Sequence, residues 1–218
     1  VKGRVLIGAA GSEYKARGYI AAYDPENGKE VWRFNTVPGN PAKGFGKEGL
    51  NKAAHEAAAK TWGNKWWELG GGGTVWDSIT YDPETNLVLF GTGNAEPWNP
   101  AANGRAGDSL YTSSIVAVNA DTGQYVWHFQ ETPEDRWDFD SDQQITIVNE
   151  MVMAGMDRDS DILFSWLQHY DPLTKTKLGV GGFSIYSPET KELHVEIEDL
   201  TNNTKDSWTL DVHLCKNT

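Results

Sequence analysis

Residues 22–32 read AYDPENGKEVW and residues 117–127 read AVNADTGQYVW, so the chain states one pattern twice. In each copy a short apolar run ends on an Asp or Asn, turns at Asn27-Gly28 or Thr122-Gly123, and resumes as a second run closing on Trp32 or Trp127. A Gly in the turn between two strand-like runs is the signature of a β-hairpin. A Trp at the same offset in each copy is read as a packing wedge between neighbouring sheets. Between the copies, ITYDPETNLVLFGTGN at 79–94 gives a variant hairpin, with Pro83 presetting a turn before the apolar run Leu87–Phe90. Recurrent strand–turn–strand units in a chain with 23 glycines and 10 tryptophans point to an all-β fold, a partial β-propeller of four-stranded blades.

One stretch departs from this pattern. Residues 49–61, GLNKAAHEAAAKT, are Ala-rich and free of proline, with Glu56 four places before Lys60, and are read as a short helical insertion. His55 lies within it with no second His at metal spacing and is expected to be a solvated helix residue; no function is assigned to any of the five histidines. From about Val148 the Gly-rich turns fade. Only HYDPLTKTKLGV and IYSPETKELHVEI keep a hairpin-like outline, so the chain is divided into 1–147 and 148–218. The second part could be further strands of the same fold, a separate module or a foreign tail.

Composition excludes several classes of function. Nineteen basic against 31 acidic residues leave a net charge of −12, which disfavours nucleic acid and anionic lipid as partners. No apolar run approaches the roughly 20 residues that span a bilayer. The opening VKGRVLIGAAG lacks the marks of a secretory leader, so the chain is expected to be a processed or shortened piece. The single cysteine, Cys215, rules out an internal disulfide and a Cys-based zinc cluster.

Three clusters combine glycine with acidic, amide or aromatic side chains: GAAGSEYKARG at 8–18; GGGGTVW at 70–76 with GTGNAEPWNP at 91–100; and EDRWDFDSDQ at 134–143. Four consecutive glycines are costly to order, which suggests that something flat or bulky approaches the chain there. In an extended 134–143 segment, alternation would place Asp138, Asp140 and Asp142 on one side. These three also occupy the first, third and fifth places of an EF-hand-like calcium loop, although Gln143 stands where the sharp turn demands Gly.

In order and spacing, the motifs GxEYxxRGYIxAYDxxxGKExW, GGGTVWDSIxYDP, GTGNxxPWN and SSIVAVNADTGxYVWHFQxTPxDxWDFD resemble the quinoprotein alcohol dehydrogenases, the pyrroloquinoline quinone (PQQ) enzymes that include methanol dehydrogenase. The resemblance covers about residues 1–147. It implies oxidation of a primary alcohol by metal-assisted hydride transfer to PQQ, a cytochrome c as electron acceptor, and a periplasmic location. By position it implies Glu13, Asn94, Asp138 and Asp140 as metal ligands, Asp138 also as catalytic base, and Gly11, Ser12, Thr74, Trp76 and Arg158 as contacts to the quinone. Asp140, two places after the base, resembles the mark of the lanthanide-dependent branch. An additional hard carboxylate oxygen suits a trivalent ion better than Ca2+. The family's propeller has eight blades and an adjacent cysteine pair beside PQQ. At roughly 40–50 residues per blade this chain supplies at most about half of that propeller, and it has no such pair. A non-catalytic propeller fragment with a structural or binding role is therefore the competing expectation.

Overall fold

The computed structural model describes residues 1–77 and 79–147 in full, and beyond them the backbone of 148, 151–154, 170–171, 176–177, 182–187, 192–199 and 204–211. The chain divides into two compact units, Val1–Gln144 and Ile145–Thr218.

The first unit holds two antiparallel meanders. Strands β1 (Val5–Gly8), β2 (Tyr19–Tyr23) and β3 (Glu30–Asn35) form one sheet. Strands β4 (Ile79–Asp82), β5 (Leu87–Gly91), β6 (Ser114–Asn119) and β7 (Tyr125–Gln130) form the other, a complete four-stranded blade. The two repeated hairpins, β2–β3 and β6–β7, are built alike. Gly28 N–H donates to Asp24 O and Gly123 N–H to Asn119 O, both at 2.8 Å, and these glycines take φ of 68° and 67°. The Asp24 and Asn119 side chains accept from the turn amides of Glu26 and Asp121, at 2.8 and 3.0 Å. An Asp or Asn side chain that folds onto its own turn amide is the local reason each hairpin forms at that place.

Trp32 joins the two sheets. It is 7% exposed, its Nε1 donates to Ala120 O at 3.0 Å, and its indole lies on Gly123, where a Cβ would come within 2.5 Å of the ring. Trp127, its counterpart in the other copy, is only half-buried. The core between the sheets contains Ile20, Ala22 and Phe34 from the first sheet and Val88, Phe90, Val116 and Val118 from the second, closed by Ala58 and Tyr111.

The insertion contains α1 (Lys52–Ala58), flanked by 3-10 turns at Gly46–Asn51 and Ala59–Thr61. Glu56 pairs back to Lys52 at 3.7 Å rather than forward to Lys60. His55 also differs from expectation: it is fully buried, stacked on Phe34 at 5.5 Å, with Nδ1 3.1 Å from Asn51 O and Nε2 2.7 Å from Asn35 O. It faces inward because α1 lies against β3 and the core, a packing that the helix's own sequence does not reveal.

In the second unit, β8 (Ile145–Val148) pairs with β9 (Met151–Ala154), and β10 (Tyr170–Asp171) with β11 (Thr176–Lys177). Strands β12 (Gly182–Ser187), β13 (Glu192–Asp199) and β14 (Thr204–Asp211) form an antiparallel meander. No helix among the described residues is long and apolar enough to cross a membrane.

Candidate active site

Three loops of the first unit are laced together by backbone hydrogen bonds around Gly70–Gly73. Gly18 N–H donates to Gly72 O at 2.8 Å, Gly73 N–H to Asn94 O at 2.8 Å, Glu96 N–H to Gly71 O at 3.1 Å and Gly93 N–H to Thr74 O at 2.8 Å. All four glycines are left-handed, with φ of 91°, 89°, 75° and 60°. A Cβ at Gly70 would lie 2.4 Å from Ala16 O, and one at Gly72 2.5 Å from Asn94 O. The chain's own close packing therefore accounts for the glycine run, and no bulky visitor is needed to explain it.

The acidic segment 131–144 crosses the end of β5. It is pinned there by Ser141 N–H to Thr92 O at 3.1 Å and by Ser113 Oγ–H to Phe139 O at 2.7 Å. Gly91 makes this crossing possible, since a Cβ there would overlap Ser141 O at 1.8 Å. The segment is not the extended strand expected from its alternation: Asp138 has a φ of 69°.

Asn94 gathers the carboxylates. Its backbone N–H donates to Asp140 Oδ1 at 2.8 Å, and its Nδ2 donates to Asp138 Oδ1 at 2.5 Å and, at a long 3.5 Å, to Glu96 Oε1. Glu13 is exposed, in the 3-10 turn Ser12–Tyr14 after left-handed Gly11. Its charge is near enough to act on Glu96, Asp138 and Asp140. All three carboxyls are raised above the usual range. Lost hydration is the first cause in each; the charges of Glu13 and, for the two aspartates, Asp135 add to it. Asp142, 2% exposed, is pushed up to about 8 by burial and by Asp140, although it accepts from the Trp76 backbone N–H. Among the described residues its Oδ2 has no hydrogen-bond partner. Among the described residues none of Glu13, Glu96, Asp138, Asp140 or Asp142 forms an ion pair.

The residues expected at a quinone are placed as follows. Ser12 and Thr74, both buried, share a hydrogen bond between their hydroxyls at 3.2 Å, with Gly11 beside them in the chain. Trp76 is 53% exposed. Its Nε1 stands with Asp140 Oδ1 and Asp142 Oδ2 around Gly93, within 3.2, 3.0 and 3.3 Å of where a Cβ would be. Arg158 lies outside the described residues.

Among the described residues no three His, Cys, Asp or Glu side chains form a closed metal-ready group. The donor chemistry nevertheless fits a hard cation. Uncompensated carboxylates surround an amide whose Oδ1 accepts no hydrogen bond from the described residues, and all available donors are oxygens. An exposed indole on the same side fits a flat aromatic group.

Residues 1–158 match the family described as glucose/ethanol/alcohol dehydrogenase, beta-propeller domain, of the PQQ class. The chain belongs to the PQQ-dependent alcohol dehydrogenase family. It is 53% identical over 149 residues to quinohemoprotein alcohol dehydrogenase ADH IIB of Pseudomonas putida, covering 67% of this chain and 21% of that protein. The crystal structure of quinohemoprotein alcohol dehydrogenase from Comamonas testosteroni is similar with a TM-score of 0.64 and 32% identity, covering 92% of this chain and 36% of that one. A europium-containing methanol dehydrogenase has the same fold, at a TM-score of 0.58 and 23% identity over 90% of this chain and 43% of its own. The chain thus spans about a fifth of the length of the curated relatives it matches, 21–22% for the first three. Within this PQQ-dependent dehydrogenase family, its fold is a partial β-propeller.

Sequence reasoning assigned no role to Glu96, Asp135 or Arg105, and none to Asp142 beyond the EF-hand-like alternative. Glu96 had a faint signal, standing two places after Asn94, and Asp142 was visible through its place in the acidic alternation. Arg105 had none, because its partner Asp135 is brought to it by the fold rather than by spacing.

Proposed function

We propose that this chain is the metal- and quinone-facing part of a dehydrogenase that oxidises primary alcohols to aldehydes. The observation that supports this most is the convergence on Asn94, where one residue's backbone and side chain hold Asp140 and Asp138 together. Glu13, Asn94, Asp138 and Asp140 would hold the cation, and Gly11, Ser12, Thr74 and Trp76 would face the quinone, with Arg158 as a further contact. When bound, the quinone supplies the acceptor for the hydride leaving the alcohol carbon, and the cation supplies Lewis acidity. Asp138 takes the hydroxyl proton. Asn94 fixes the Asp138 carboxylate while this happens, and the exposed Trp76 indole offers a flat face to the quinone.

Asp140 favours a lanthanide over Ca2+, because it adds a carboxylate beside Asp138 that a trivalent ion neutralises better. Electrons would pass to a cytochrome c in the periplasm. Because the chain spans a fifth of its relatives, a non-catalytic fragment that retains the blades for structure or binding is the second reading. The EF-hand alternative loses its support: strands β7 and β8, not helices, flank the acidic segment.

The test is to incubate the purified chain with PQQ and either La3+ or Ca2+, measuring quinone retention and dye reduction with methanol and ethanol. Quinone uptake with either ion supports the site, and uptake with neither leaves the scaffold reading. Asp140→Ala should weaken La3+ binding more than Ca2+ binding; equal losses remove the argument for the lanthanide.

A further inference from the structure

Asp138 presents its carboxylate to Asn94 from a backbone conformation that a side-chain-bearing residue avoids, φ 69°. Aspartate tolerates a left-handed backbone better than most residues, but the conformation is one of several open to it and must be selected by its neighbours. The holder is Asp135, 1% exposed beneath the segment. Its Oδ1 accepts from Trp137 N–H at 3.0 Å and its Oδ2 from Phe139 N–H at 3.1 Å, so one carboxylate grips the amides on both sides of Asp138. Asp135 is anchored in turn. Arg105, 5% exposed, donates from Nη2 to Asp135 O at 2.7 Å and to Trp98 O at 2.8 Å, tying the segment to the β5–β6 connection that also carries Asn94. With both oxygens occupied and the side chain buried, Asp135 has no route to an ion or a substrate.

We propose that Asp135 is the positioning residue of the site: by clamping the Trp137 and Phe139 amides it sets the direction in which Asp138 meets Asn94 and the cation. The assignment rests on the reading of Asp138 and Asn94 as site residues, but the clamp itself can be measured without that reading. Asp135→Ala removes both acceptors. Asp135→Asn keeps one acceptor oxygen and the shape, so it should behave in between. Arg105 stays in place in both.

The experiment uses the full chain and two readouts. Amide hydrogen exchange in the unsubstituted chain should show Trp137 and Phe139 protected, and in Asp135→Ala both should exchange freely. Rapid exchange of both amides in the unsubstituted chain overturns the clamp without recourse to any variant. The second readout is Trp-sensitised luminescence of Tb3+, titrated without quinone. Asp135→Ala should weaken Tb3+ binding by about 10-fold or more, as supporting residues around metal ligands do, with Asp135→Asn partly restoring it and the urea midpoint of Asp135→Asn close to that of the unsubstituted chain. Asp135→Ala that folds and binds Tb3+ within about twofold of the unsubstituted chain refutes the positioning role. If the unsubstituted chain takes up no Tb3+, the site reading fails, and the exchange data still decide the clamp.

Discussion

Replacing Gly72 by Ala tests whether the loop lacing, rather than the turn conformation, demands glycine. The native φ of 75° alone costs Ala on the order of 1–2 kcal/mol. The new Cβ would also stand 2.5 Å from Asn94 O and 2.9 Å from Glu96 N, both backbone atoms of an adjacent loop that cannot swing aside. Forcing them apart adds about 1–3 kcal/mol, as overpacking does. Gly28→Ala is the matched control: its φ is 68°, but nothing lies within 4 Å of its Cβ position. Both variants share the conformational cost and the entropic gain in the unfolded chain, so their difference isolates the overlap. Urea unfolding followed by far-ultraviolet circular dichroism should place Gly72→Ala about 1–3 kcal/mol below Gly28→Ala, with unchanged m-values. Equal stabilities within about 0.5 kcal/mol would show that the three loops do not depend on close approach at this point.

Two other perturbations probe the frame around the site. Trp32→Ala should cost about 3–5 kcal/mol in urea unfolding. Trp32→Phe, which keeps a ring over Gly123, should lose far less, partly because Arg4 Nη1 still donates to Ala120 O at 3.3 Å; equal losses would refute the wedge. Glu48 accepts from Arg17 Nη2 at 2.7 Å and from Asn35 Nδ2 at 2.8 Å, and it faces buried His55. Burial raises its pKa, but the hydrogen bond from Arg17 and the charges of His55 and Arg17 outweigh that, leaving it below the usual 4.5. A depressed carboxylate contributes stability above its unfolded pKa and loses it as the pH falls through the folded value. Glu48→Gln should therefore be less stable near neutrality and show a flatter stability profile below about pH 4.5; an unchanged acid profile counts against the network.

The repeated hairpins were legible because their determinants are local: an Asp or Asn that closes its own turn, a Gly four places on, and a Trp at the end of the second run. Asn94, Asp138 and Asp140 were legible only through ordered motifs, and their hydrogen bonds emerged once the loops were laced. Two inferences failed and a third proved unnecessary, for one reason. The purpose of the four glycines, the burial of His55 and the extended form expected of 134–143 all depend on which backbone lies alongside, and that information is held elsewhere in the chain. Asp135 shows the same limit, since its acidic neighbours mask it and only its burial beneath Trp137 and Phe139 distinguishes it.

The seven strands described in the first unit end by Gln130, while Asp135, Asp138, Asp140 and Asp142 follow on one strap over the end of β5. On the proposed reading, the sheets and two of the carboxylates offered to the cation therefore sit on separate stretches of chain. On that reading, exchanging residues 131–140 between relatives would change the carboxylates offered to the ion without altering a strand, so long as the Ser141 backbone still seats on Gly91.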